Sequence, residues 1–414
     1  MKSFDAFIRV NIEVIRFTGV LLMANKTYIQ SLSLSHIRNI SDLQLSLMHD
    51  AQPRMRTLII GHNGAGKTSL LRAIALGMGT VHDVEALLAE NIGQIPANDA
   101  SNASVEVKTT SGLRELHFDK PNYGIKIDGP RSFICAYGAG RAIEGSKGVS
   151  AYKYRDAVLN LFRYEAPLID PELALRRLND FMGEDRYERM MSGIKRALDL
   201  TLEDNIFLPK GGGVQIKGPT VGGPVPLQAW ADGYRRTIGW ILDLYSWAMK
   251  YDDAWDQERD IVGVLLLDEI EQHLHPSMQT GLMDRLSVLF PKLQIIATTH
   301  SPLVALGCKS HEVISLHTEN GRVIAETDLP GFEGCSAEDI LEDKKMFDTR
   351  AVTPEHQEKL ARYHALIGIP QDQRSDEDRS ELIRLARQVS ADTPISGSNP
   401  VLDELRKISQ SLGV

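Results

Sequence analysis

Gly61-His62-Asn63-Gly64-Ala65-Gly66-Lys67-Thr68 fills every fixed position of G-x-x-x-x-G-K-[ST]. The pattern is a phosphate cradle. Glycines let the backbone wrap an anion and aim its N–H groups inward, an amine reaches the outer phosphates, and a hydroxyl joins a magnesium ion. Lys67 is the expected contact to the β- and γ-phosphates of ATP, and Thr68 the expected magnesium ligand. Gly61, Asn63, Gly64, Ala65, Gly66 and Ser69 supply the rest of the cradle. Further on, Val264-Leu265-Leu266-Leu267 runs into Asp268-Glu269. An apolar strand ending in two carboxylates suits magnesium binding through water by Asp268 and polarisation of an attacking water by Glu269. Ile295-Ile296-Ala297-Thr298-Thr299-His300 ends a second apolar run in a histidine, in the place of a switch residue beside a γ-phosphate. His273 and His275, one residue apart, lack a third His or Cys spaced to complete a zinc site.

These groups need strands and helices to hold them. Arg56–Ile60 reads as a buried strand feeding the loop, and Lys67–Leu76 as the helix behind it. Upstream, alternation from Tyr28 to Leu47 predicts two strands joined by a turn at Ile37–Ser41. Short β-like runs follow at Ser104–Thr109, Arg114–Phe118, Gly124–Ile127 and Ser132–Ala136. Residues 152–202 carry helical spacing until a glycine-rich stretch, Gly211–Gly223, breaks it. A helix begins near Asp232, Val262–Leu267 is of parallel-strand type, and Pro276–Leu289 reads as one helix. Gln294–Thr298 and Val313–Leu316 are further strands. After Asp328 the chain turns polar and helical, at Ala337–Lys345, Pro354–Ile367, Asp376–Val389 and Pro400–Leu412.

Composition excludes several classes. The 414 residues carry 46 Lys and Arg against 55 Asp and Glu, a net charge of −9, which argues against a protein that coats nucleic acid by bulk positive charge. The cluster Arg176, Arg177, Arg186, Arg189, Lys195 and Arg196 reads as a solvated helix face. Three widely spaced cysteines, Cys135, Cys308 and Cys335, offer neither a disulfide framework nor a CxxC site and fit a reducing, cytoplasmic setting. No run approaches the length of a membrane span. Met23 precedes the first patterned strand, so residues 1–22 have the character of an upstream extension.

The motifs together resemble the ABC-type ATPases, within the branch that includes RecF, SMC heads and the OLD-like defence ATPases. The Asp268–Pro276 run and Thr298-Thr299-His300-Ser301-Pro302 are of the OLD-like kind. The resemblance covers about residues 27–330. It implies an α/β fold, an ABC-type P-loop ATPase head with a helical lobe at about 150–255, between an N-terminal extension (1–26) and a C-terminal helical docking region (331–414). It also makes Tyr137-Gly138-Ala139-Gly140-Arg141 the counterpart of the Q-loop, with Arg141 toward the nucleotide. Ala231-Asp232-Gly233-Tyr234-Arg235-Arg236 becomes the signature motif, with Asp232 and Gly233 meeting the nucleotide of a second copy. The family's signature usually carries serine where Ala231 stands, which weakens the expected grip on the partner's γ-phosphate.

Such heads sandwich two ATP molecules, so the resemblance implies a homodimer or higher oligomer. OLD nucleases carry a nuclease domain after the ATPase. Here Asp372, Asp376 and Glu377 follow no apolar strand and read as a solvated helix start. The chain therefore resembles the ATPase of Septu-type antiphage systems, found with a nuclease or attached to retrons. The implied activity is slow, magnesium-dependent ATP hydrolysis that controls a nuclease or toxin encoded nearby. RecF-type binding of DNA and a non-hydrolysing scaffold stabilised by ATP are the alternatives.

Overall fold

The computed structural model describes residues 27–392 except 92–94, 97–100, 120–121, 128–131, 142–150, 202, 208, 210–212, 220–221, 253–260, 328, 333, 350–353 and 371–372. The extension at 1–26, the helix expected at Pro400–Leu412 and Asp372 lie outside the described residues. The chain divides into two compact units, one ending at Asp348 and one beginning at Thr349.

In the first unit the described strands are β1 (Ile29–Ile37), β2 (Ile40–Ser46), β3 (Met48–His49), β4 (Gln52–Pro53), β5 (Arg56–Gly61), β6 (Asn102–Thr109), β7 (Gly112–Asp119), β8 (Asn122–Ile127) and β9 (Ile134–Tyr137). They continue with β10 (Asn205–Phe207), β11 (Gln215–Gly218), β12 (Gly222–Pro226), β13 (Gly263–Leu267), β14 (Leu293–Thr298), β15 (Val313–Glu319) and β16 (Arg322–Glu326). The central sheet has the order β16-β15-β5-β14-β13-β9. It is parallel from β15 to β9, with β16 antiparallel at the edge. A parallel sheet must be covered on both faces, and the strand residues comply. Leu58, Leu265, Leu267, Ile295 and Ala297 belong to one apolar cluster, while Ile59, Val264, Leu266 and Ile296 belong to another. The first face is covered by the helices Pro171–Met182, Glu184–Ala197 and Asp232–Tyr251. The second is covered by the Lys67–Met78 helix and the antiparallel sheet β2-β1-β6-β7-β8. The two sheets are stitched by one buried side chain. Gln294 accepts from the Ile29 amide (2.7 Å) and donates to the carbonyls of Ile29 and Arg54 (2.9 Å each).

Several elements differ from the sequence-based expectation. The segment expected as one helix over Pro276–Leu289 is two, Pro276–Gln279 and Leu282–Leu289. Gly281 stands between them at φ +71, a left-handed turn that ends the first helix. The Arg285 guanidinium caps that helix by donating to the carbonyls of Met278 and Thr280. Before β6 lies a helix with no clear signal in the sequence, Val81–Asn91, whose start is fixed by an Asp83–Thr80 hydrogen-bonded turn. The glycine-rich break falls within a short meander, β10-β11-β12. Residues 331–348 fall within the first unit, where Ile340, Met346 and Phe347 join the core cluster.

The second unit contains a helical pair, Pro354–Ile367 and Asp376–Asp392, closed over Tyr363, Leu366, Leu382 and Leu385. Arg362 bridges to Glu381 across the pair (2.7 Å). Cys135 and Cys308 are buried free thiols and Cys335 is half-buried. Among the described residues, no helix is long and apolar enough to cross a membrane.

One buried carboxyl ties the helical lobe to the central sheet. Asp243, on the Asp232–Tyr251 helix, accepts from the Tyr137 hydroxyl and from the Ile169 amide, both at 2.8 Å. Burial raises its carboxyl to about 6, against the lowering effect of those hydrogen bonds. An acid that holds its proton more tightly when folded stabilises the protein below its unfolded value. That contribution is lost as the pH rises through the folded one, here between the ordinary 3.8 and about 6. Asp243→Asn, which cannot ionise, is therefore expected to lose less stability than the natural chain on going from pH 3.5 to pH 8, by on the order of 3 kcal/mol. Most of that difference should open between about pH 4 and pH 6 in denaturation measured across the range.

Candidate functional site

Parallel pairing brings the chemistry together. β5, β13 and β14 all end at the same edge of the sheet. Leu267 lies level with Ala297, and Thr298 with Ile59. The next residue after β13 is Asp268, and Gly61 leads into the phosphate loop. Gly61 is demanded by its neighbour strand, since a Cβ there would lie 2.1 Å from the Leu316 carbonyl oxygen on β15.

An open cleft of about 540 Å3 forms over this edge, lined by residues 62–69, by Asp268, Glu269 and His300, and by Arg38, Asn39 and Pro96 from the opposite wall. Lys67 is 5% exposed, and its amine donates to the carbonyls of Gly61 (2.6 Å) and His62 (3.0 Å). Burial lowers it to about 8, opposed by the charges of Asp268, Glu269 and Glu271. Thr68 donates its hydroxyl to Asp268 Oδ2 at 2.7 Å. On the other side, Thr298 donates to Asp268 Oδ1 at 2.6 Å and accepts from the Glu269 amide at 2.8 Å. One strand-end hydroxyl thus fixes both members of the acidic pair.

Glu269 takes a left-handed backbone, φ +47. Burial, reinforced by Asp268 and Glu271, raises its carboxyl above the ordinary glutamate value. Glu271 accepts from the Thr299 hydroxyl (2.7 Å) and the His300 amide (2.6 Å), so it holds the histidine segment against the acidic turn. Burial, with Lys67 as second cause, lowers the His300 imidazole, which is neutral at pH 7.

The sequence-derived residues Asn63, Gly64, Ala65, Gly66, Lys67, Thr68, Ser69, Asp268, Glu269 and His300 thus share one cleft. Gly61, packed against β15 where β5 ends, does not line it, and neither do two other groups. Arg141 is 1% exposed and lies behind the acidic pair, donating to the carbonyls of Asp268 (2.6 Å) and Glu269 (3.0 Å). The geometry therefore corrects the placement expected of Arg141, because the loop from β9 passes beneath the acidic turn. Asp232 and Gly233 open the Asp232–Tyr251 helix away from the cleft. Asp232 pairs with Arg235 (2.7 Å) and Arg236 (3.4 Å), and Gly233 packs against the His273 carbonyl. Ala231 occupies the N-cap and makes no side-chain cap.

Thr298, Asn39, Arg38, His62 and Pro96 carry site geometry without having been singled out as contacts. Asn39 donates to the Gly64 carbonyl at 2.5 Å and so braces the phosphate loop from the β1–β2 turn. Its signal in the sequence is an asparagine in a tight turn between alternating strands. Thr298 was visible as a hydroxyl ending the strand beside the acidic one. Among the described residues no group of three or more His, Cys, Asp or Glu side chains could cage a metal. His273 and His275 are accounted for otherwise. His273 holds a left-handed turn (φ +69), and His275 caps the short helix through Ser277.

Residues 150–306 match the family described as "AAA domain, putative AbiEii toxin, Type IV TA system", and residues 31–208 one described as "AAA domain". The chain is similar to "Septu protein PtuA" of Bacillus mycoides, 28% identical over 325 residues, or 76% of this chain and 43% of that protein. It is also similar to "Retron Ec83 probable ATPase" of Escherichia coli, 35% identical over 96 residues, 23% of this chain and 17% of that protein. The match spans less than half the length of either relative. A solved SMC head bound to the C-winged helix domain of ScpA aligns at 14% identity and a TM-score of 0.45, over 72% of this chain and 97% of that one. With its phosphate loop, its acidic pair and its parallel sheet, the chain is similar to the ABC-type P-loop ATPases of Septu and retron systems.

Proposed function

We propose that the chain is a slow, magnesium-dependent ATP hydrolase that works as a cytoplasmic oligomeric switch, assembling and controlling a nuclease or toxin encoded beside it in antiphage defence. The observation that carries the reading is one cluster. Thr68, Asp268, Thr298 and Glu269 form a continuous hydrogen-bonded chain, and all but the buried Thr298 line a cleft that also holds Lys67 and His300. The likeness to Septu and retron ATPases supplies the setting.

In this reading the amides of residues 64–69 and the Lys67 amine hold the triphosphate. A water oxygen bonds to the γ-phosphorus as the bond to the bridging oxygen breaks, leaving ADP and phosphate. Glu269 orients that water and draws on its proton, a role suited to a carboxyl raised above its ordinary range. His300, neutral at pH 7, donates to the γ-phosphate. The Thr68 hydroxyl and the Asp268 carboxylate are hard oxygen donors side by side, a set that fits magnesium, and they would hold it. Bound there, the ion neutralises charge on the β- and γ-phosphates. In this reading Asp232, with the buried Gly233 behind it, lies outside its own chain's cleft and faces the nucleotide of a second copy. Asp232 is half-exposed there, and Ala231 supports slow turnover because it brings no hydroxyl.

Three outcomes test this reading. Thr298→Val keeps the strand's shape but removes the hydroxyl that holds the acidic pair. It is expected to lower kcat by on the order of tenfold to a hundredfold with little change in KM for ATP, measured by phosphate release. Glu269→Gln is expected to abolish turnover, by at least about a hundredfold, while retaining ATP. Unchanged turnover in that variant would show that Glu269 is not the catalytic residue, and absence of turnover in the natural chain itself would leave a non-hydrolysing scaffold. Mass photometry of the chain co-expressed with its neighbouring gene product is expected to show a complex of defined stoichiometry that responds to ATP and magnesium. A lone dimer that ignores the neighbour, and binds DNA in an ATP-dependent and salt-sensitive way, replaces this reading with that of a RecF-type repair ATPase.

A further inference from the structure

The segment from Tyr137 to Arg141 leaves β9 and runs under the acidic turn. Its course is fixed at several points. The Tyr137 carbonyl accepts from the Asp268 amide (2.8 Å), continuing the β9–β13 pairing. The Gly138 amide donates to Asn160 Oδ1 (2.9 Å), and the Gly140 carbonyl accepts from Arg236 Nη1 (2.7 Å). The passage is too narrow for side chains. A Cβ on Gly138 would lie 2.6 Å from the Asn160 carbonyl oxygen, and one on Gly140 2.4 Å from that of Tyr164. The glycines therefore serve to bring residue 141 inward.

What arrives is a guanidinium 1% exposed to solvent. Its Nη2 donates to the carbonyls of both Asp268 and Glu269, and its Nε has no partner among the described residues. Among those residues it forms no hydrogen bond with a carboxylate, and it does not line the nucleotide cleft. A buried cation is costly unless nearby charge offsets it, and the offset here comes from Asp268, Glu271 and Glu269 together. Burial lowers Arg141 only to about 10, so it is charged at pH 7. Both ends of the contact are unusual in backbone terms, with Arg141 at φ +39 and Glu269 at φ +47. Non-glycine residues persist in the left-handed region when their surroundings hold them there. The Glu269 carbonyl is held by Arg141 and its amide by Thr298, so the peptide groups on either side of its Cα are both fixed, and with them the direction of its side chain.

We propose that Arg141 is a positioning residue for the acidic pair, gripping the carbonyls of Asp268 and Glu269 from beneath so that the Glu269 carboxylate is aimed into the cleft, and that it is not a nucleotide contact. The inference rests on the hydrolytic role given to Glu269 above. One nitrogen reaching two carbonyls while the rest of the planar group fills the buried space is a geometry that a flexible ammonium matches only in part.

The test uses the full-length chain and four variants: Arg141→Met, Arg141→Lys, Glu269→Gln and the double variant Arg141→Met/Glu269→Gln. Affinity for a fluorescent ATP analogue and steady-state hydrolysis are measured on each. Arg141→Met is expected to bind the analogue within about twofold of the natural chain and to lose roughly thirtyfold or more in kcat, with KM little changed, the signature of an effect confined to the chemical step. Arg141→Lys is expected to recover part of kcat. In the double variant, Arg141→Met is expected to cause no further loss beyond Glu269→Gln, because the two substitutions remove one function. A tenfold rise in Kd and KM with kcat preserved would make Arg141 a nucleotide ligand and overturn the proposal, as would unchanged kcat in Arg141→Met. If Arg141→Met does not fold, Arg141→Lys decides, since a natural kcat with the weaker donor geometry also overturns it. If Glu269→Gln alone keeps turnover, the hydrolytic role of Glu269 fails whatever Arg141 does, which separates the two claims.

Discussion

The site depends on the register of two neighbouring strands. β13 and β14 run parallel with Leu267 beside Ala297, so the next residues, Asp268 and Thr298, emerge level with each other. At that point a single hydroxyl donates to the Asp268 carboxylate and accepts from the Glu269 amide. The hydrophobic pattern cannot set this register. Every residue of both strands is buried, and a one-residue slip would exchange one apolar face for another. The polar groups at the two ends of β14 set it instead. Gln294 is fully buried and satisfied by Ile29 and Arg54, and Thr298 is fully buried and satisfied by the acidic pair. A slip would strand both, at about 1–3 kcal/mol for each unsatisfied group.

The electrostatics follow from that placement. Three carboxylates, Asp268, Glu269 and Glu271, gather at the strand ends, and two buried cations face them from opposite sides, Lys67 within the cleft and Arg141 beneath it. Each cation is depressed by burial and sustained by the acids. The Glu269 carboxyl is raised by burial and by its acidic neighbours and restrained by both cations. A cleft whose charges are mutually dependent in this way is prepared for a polyanion, because the phosphates meet amines and amides already held in place. It also explains why Lys67 rests on the carbonyls of Gly61 and His62, the nearest acceptors of the loop itself.

The helix Asp232–Tyr251 joins this chemistry to the helical lobe. Asp243 binds the Tyr137 hydroxyl, Arg236 binds the Gly140 carbonyl, and the 137–141 segment between them touches the acidic pair. The segment therefore lies between the residues that line the cleft and the helix Asp232–Tyr251, with every link a hydrogen bond between named groups. Hydrogen-bonded networks of this kind respond as units, since removing one member leaves its partners unsatisfied in a low-dielectric setting.

Much of this was legible in the sequence. The phosphate loop, the acidic strand end and the histidine strand end are local patterns, each written in consecutive residues whose types dictate a strand, a turn or a helix start. The long apolar runs likewise announced a parallel sheet covered on both faces. Where local signals were weak the sequence was silent or misleading. Val81–Asn91 is a helix without a strong apolar stripe, β10 to β12 are short and glycine-interrupted, and Gly281 divides an apparently continuous helix. The sequence by itself thus identified most of the residues that share the cleft, the phosphate loop, the acidic pair and His300 among them. Only the tertiary structure decided that Thr298 holds the acids, that Asn39 braces the loop and that Arg141 sits beneath the site rather than in it. Those are contacts between residues far apart in the chain, fixed by strand order and by a narrow glycine passage, and no local spacing encodes which face of a packed sheet edge a distant side chain will reach.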